Sequence, residues 1–141
     1  MRTFSLSTAI VILLMCTGCK DSARPHIERL LNEWGIVVAE GYVHSDKYSK
    51  DEQRIHFFHE QSRATNRMLT KFLDDDPPVK DDLKDFLRDW QTVAAESQKL
   101  HEKMIEEGRF TYNADEKARA ETLIKAEALA GMELMDYVKG Y

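Results

Sequence analysis

Cysteine, proline and glycine are all scarce in this chain: two, three and six residues out of 141. So few turn formers exclude a turn-rich β-sandwich or barrel. Both cysteines fall within the first nineteen residues, which excludes a disulfide framework for the rest of the chain. Positive charge is also in deficit, with 20 Lys and Arg against 25 Asp and Glu and a net charge of −5. A protein that tracks nucleic-acid phosphates starts from the opposite field, so nucleic acid is not an expected partner. Long hydrophobic runs are missing as well. The most apolar stretch, Ala9 to Met15, is seven residues long, where a membrane-spanning helix needs about 20.

What is present begins at the N-terminus. Arg2, the apolar run Ala9 to Met15 and the small residues before Cys19 have the layout of a secretory signal. Thr17-Gly18-Cys19 resembles the lipobox of bacterial lipoproteins, with Cys16 standing where that family usually has Leu. The resemblance implies that residues 1–18 are cleaved, that Cys19 is acylated, and that the chain is held in the cell envelope by its lipid. Lys20 rather than Asp directly after the cysteine implies outer-membrane sorting, facing the periplasm. Acyl chains contribute about 0.8 kcal/mol per buried methylene, enough together for lasting attachment.

The remainder reads as an all-α, up-down-up-down four-helix bundle. Residues 19–24 are expected as a short tether, with Pro25 at the first position of a helix carrying Ile27, Leu30, Leu31, Trp34, Val37 and Val38. Ser49 and Glu52 have the form of a capping box for a second helix, which Pro77-Pro78 must end. A third follows with Leu83, Leu87, Trp90, Ala94 and Met104 in register, and Gly108 stops it. Asn113 and Glu116 then suit the start of a fourth. There the stripe Leu123, Ala126, Ala130, Leu134 and Tyr137 suffices to close a core. A second set, Ile124, Ala128, Met135 and Val138, is predicted to stay partly exposed.

No constellation names a reaction, and an enzyme is not expected. The serines lack a Gly-flanked elbow, and no Gly-rich phosphate cradle occurs. The one local cluster with metal-ligand chemistry is His56-Phe57-Phe58-His59-Glu60. His56 and His59 share a helical surface and His101 lies on the next helix, but their wheel positions do not converge, so neither a metal site nor any cofactor is expected. His59 is expected near Trp34, and His101 at the core edge with a local hydrogen bond.

The bundle plan is similar to the periplasmic b-type four-helix cytochromes, through Lys84-Asp85-Phe86, Glu107-Gly108-Arg109 and Tyr137. That family's haem ligands, a Met early in helix one and a His late in helix four, have no counterparts here; the resemblance implies the bundle without the haem. A non-enzymatic interaction or structural module, bound to an envelope protein or to itself, is the expected function. Ile124, Met135 and the acidic turn Asp74, Asp75 and Asp76 are the candidate contact residues. A small-molecule or metal-binding bundle is the alternative.

Overall fold

The structure, a computed structural model, describes the backbone of residues 2–139 and the side chains of residues 22–139. Cys16, Cys19 and the apolar run lie outside the residues whose side chains are described. Four helices follow one another: α1 (Arg2–Ser45), α2 (Lys50–Asp74), α3 (Asp81–Glu106) and α4 (Ala114–Lys139). No strand occurs among the described residues, and sequential helices pack side by side as a four-helix bundle. No helix is long and apolar enough to cross a membrane among the described residues.

Pro25 lies inside α1 rather than at its first position, and Ala23, expected in a tether, is buried at 4% exposure. Pro25 itself faces solvent. The capping box at α2 does not form either. Ser49 is the N-cap, but its hydroxyl makes no capping bond, and its carbonyl instead accepts from the amides of Glu52 and Gln53.

The other helix ends follow the sequence. Asn113 Oδ1 accepts from the Glu116 amide at 2.8 Å while its side-chain amide donates to the Glu116 carboxylate at 2.6 Å. Gly108 takes φ 66°, a left-handed conformation that costs a glycine little. The amides of Gly108 and Arg109 then satisfy the carbonyls of Ile105 and Met104, closing α3 in a Schellman turn. In the α2–α3 turn Asp76, at φ 45°, accepts from Lys84 Nζ at 2.6 Å.

The core changes character along the bundle axis. Toward the α2–α3 turn it is apolar: Ile27, Leu30, Leu69, Leu83, Leu87, Trp90 and Leu134 form one buried cluster. Midway along, Ser62, Thr65, Ser97 and Glu127 replace hydrocarbon. Beyond them Ile55, Met104, Ala120 and Leu123 make up the buried apolar residues of the other end.

Gly131 is where α1 meets α4. A Cβ there would fall on the ring of Trp34, which in turn packs edge-on against Trp90 with ring centroids 5.8 Å apart. Gly131→Ala gains about 1 kcal/mol of helix propensity but forces overpacking that costs about 1–3 kcal/mol. With Trp34 held by Trp90, the clash wins. A net loss of about 1 kcal/mol is expected in urea denaturation, and a stabilised variant would show that the indole moves aside freely.

Candidate functional site

The middle of the bundle holds a line of polar side chains contributed by three helices. Ser62 of α2 donates from its hydroxyl to Ser97 of α3 at 2.7 Å, and lies 3.4 Å from Glu127 Oε2 of α4. Ser62 and Ser97 are fully buried, and Glu127 is 6% exposed. The other carboxylate oxygen, Oε1, has no hydrogen-bond partner among the described residues, and neither has the nearby-turn hydroxyl of Thr65. Burial pushes the Glu127 carboxyl up to about 7, opposed only weakly by the Ser62 hydroxyl. Removing water penalises the charged form, and no cation among the described residues pairs with the carboxylate to repay it.

His101 continues the line toward the bundle end. Its Nδ1 lies 2.7 Å from the Ser97 carbonyl, which only accepts, so Nδ1 carries the proton. Nε2 is therefore the acceptor, and the Tyr112 hydroxyl donates to it at 2.7 Å. Burial lowers the pKa of the His101 imidazole, and pushes the Tyr112 phenol up to about 12. Tyr112 belongs to the α3–α4 connection, and it lines a surface pocket of about 410 Å³ together with Lys50 and Arg54 of α2 and Ala120 and Ile124 of α4. A hydrogen-bonded chain thus runs inward from the pocket wall toward a buried carboxylate.

The imidazoles of the other sequence candidates do different work. His56 stacks on Tyr48 with ring centroids 3.4 Å apart and approaches Phe110 on its other flank at 5.4 Å. His59 is half-buried with Nε2 unpartnered among the described residues, and burial lowers the pKa of both rings. No ring contact joins His59 to Trp34 among the described residues; Trp34 meets Trp90 and the Gly131 backbone instead. No group of three His, Cys, Asp or Glu side chains placed to hold a metal ion occurs among the described residues. Both nitrogens of His101 are already engaged, which makes it unsuited to ligation. Its local hydrogen bond is the one expected from sequence, though the ring lies in the core rather than at its edge.

On α4 the expected inner stripe is buried at Leu123, Ala130 and Leu134 and half-buried at Ala126 and Tyr137. Of the second set, Ala128 and Met135 are exposed, Ile124 is half-buried in the pocket wall, and Val138 packs against the core. The most exposed large apolar residues of this helix are two outside that set, Leu129 at 47% and Met132 at 55%. Asp74, Asp75 and Asp76 are all exposed, with Asp76 paired to Lys84.

Sequence reading missed Glu127, Ser62 and Ser97. A signal was available in that Glu127 falls among the buried positions of α4, between Leu123 and Ala130, where an acid breaks the apolar stripe. The residues on which the likeness to b-type cytochromes was drawn have local tasks. Lys84 braces the α2–α3 turn, Gly108 ends α3, and Arg109 pairs with both Glu107 and Glu116. No protein-family pattern, curated protein or solved structure matches the chain.

Proposed function

We propose that this chain is a lipid-anchored protein of a bacterial cell envelope that acts by docking on another envelope protein through the outer face of α4. The observation that carries the docking is the run Leu129, Met132 and Met135, at 47%, 55% and 36% exposure, recurring every third residue along one helix. Flexible, polarisable Met side chains suit an adaptable contact. Three side chains fall well short of the roughly 1,200 Å² that a stable interface buries, so the contact is of the transient class.

The anchor reading rests on Thr17-Gly18-Cys19 behind its apolar run. Given that anchor, an orientation follows. Ala23, four residues beyond Cys19, is packed in the same buried cluster as Val79 and Leu83 at the α2–α3 turn. Four residues reach at most about 14 Å, so a lipid on Cys19 keeps that turn at the bilayer. The opposite end, with Tyr112 and its pocket, then points away from the membrane.

Two measurements test these statements separately. Cys19→Ser is expected to abolish fatty-acid labelling and to release the protein from membranes; labelling retained in that variant overturns the anchor. A photo-crosslinker at the exposed position of Ala128 is expected to give one discrete adduct in native envelopes. Leu129→Glu combined with Met132→Glu should abolish that adduct while leaving helix content and melting unchanged. An undiminished adduct in the folded double variant places the contact elsewhere.

A further inference from the structure

The pocket at the far end of the bundle combines three features: cations without an ion pair among the described residues, an apolar floor, and a wall fixed from within. Its volume of about 410 Å³ lies in the range of small-ligand sites. Lys50 and Arg54, one turn apart on α2, line it, and neither forms an ion pair among the described residues. Across from them on α4, Lys117 and Glu121 lie 3.9 Å apart and largely compensate each other. Asp51 is the remaining acid of the lining, so two uncompensated cations face one uncompensated carboxylate in a chain whose net charge is −5.

Between these charges Phe110, Ala120 and Ile124 supply apolar lining. Ala120, at 1% exposure, forms part of the floor, and half-buried Ile124 and Phe110 flank it. Phe110 is supported from behind by the His56 ring at 5.4 Å, which Tyr48 stacks in turn. Tyr112 is held by its hydrogen bond to buried His101, so the aromatic wall exists before any ligand arrives. A preformed wall lowers the ordering cost of binding.

We infer that this pocket binds a small amphipathic carboxylate, its acid group on Arg54 and Lys50 and its hydrocarbon body against Phe110, Tyr112 and Ile124. A planar guanidinium matches a carboxylate through two parallel N–H donors. Inorganic phosphate would satisfy the cations but leave the apolar wall uncovered, and a neutral alcohol would do the reverse. Both are therefore weaker ligands than a molecule carrying the two parts.

The test is a titration of the full chain with benzoate and with octanoate, followed by amide nuclear magnetic resonance, with inorganic phosphate and benzyl alcohol as comparison probes. At least one carboxylate is expected to shift the resonances of Thr111, Tyr112 and Ile124 saturably, with at least about tenfold tighter binding than either comparison probe. Arg54→Gln, an exposed position without an ion pair among the described residues, should keep the melting temperature and weaken that binding by about tenfold, the equivalent of one charge-assisted contact. Lys50→Gln serves the same purpose should Arg54→Gln melt early. The inference is overturned by the absence of saturable shifts, by phosphate or benzyl alcohol binding as tightly as the carboxylates, or by unchanged affinity in a folded variant.

Discussion

Glu127→Gln is expected to stabilise the bundle by an amount that grows with pH, from near zero at about pH 4 to about 2–3 kcal/mol above about pH 8. The carboxyl is buried beside Ser62 and pushed up to about 7, against an ordinary value of 4.5. An acid whose folded pKa is raised binds its proton more tightly in the native state. Its contribution is therefore favourable at low pH and is lost as pH rises from the unfolded value through the folded one. Glutamine has the shape of the protonated acid and cannot ionise, so the variant escapes that loss.

Three histidines act with the opposite sign. Burial lowers the pKa values of His56, His59 and His101. The unfolded chain takes up their protons first, so stability falls as pH drops below about 6.5, the ordinary imidazole value. Wild-type stability is thus squeezed from both sides and peaks in a dome, whereas the Gln variant should climb from acid pH and then level off. Urea titrations at several pH values, read by the fluorescence of Trp34 and Trp90, distinguish the two curves. A gain that is the same at every pH would show that Glu127 ionises as an ordinary carboxylate.

Trp90→Ala is expected to cost about 3–5 kcal/mol, a large share of the roughly 5–15 kcal/mol available to a domain of this kind. Trp90 is 2% exposed and touches the rings of both Trp34 and Phe86, so its loss leaves a cavity where α1 and α3 meet. Its indole N–H, however, has no hydrogen-bond partner among the described residues. Trp90→Phe keeps most of the apolar bulk and removes that donor, and relief of a buried unsatisfied group is worth about 1–3 kcal/mol. The Phe variant should therefore lie within about 1.5 kcal/mol of wild type. Should Phe cost as much as Ala in urea titrations, the nitrogen rather than the ring volume carries the stability.

How far each feature was legible depends on the distance over which its cause acts. Pro77-Pro78, Gly108 and Asn113 end or start helices through bonds within a single turn, and apolar residues at helical spacing mark the inner faces of α2 and α3. Such causes are local, so the four-helix architecture was written in the sequence alone. The Ser49 box failed although its residues were right, because a hydroxyl rotor is free to leave a backbone carbonyl in charge of the turn.

The polar line was decided only by the tertiary structure. Ser62 meets Ser97 and Glu127 across 35 and 65 residues of chain, and although Glu127 interrupts an apolar stripe, nothing local says which groups it faces. The same holds for Gly131, which reads as a weak point in α4 until the Trp34 ring is laid against it. His101 was legible as a histidine with a nearby partner, but its tautomer followed from two acceptor and donor groups on different elements. Periodicity tells a helix which face to bury. Which polar groups then face one another, and whose charge must be surrendered to burial, depends on how the helices meet.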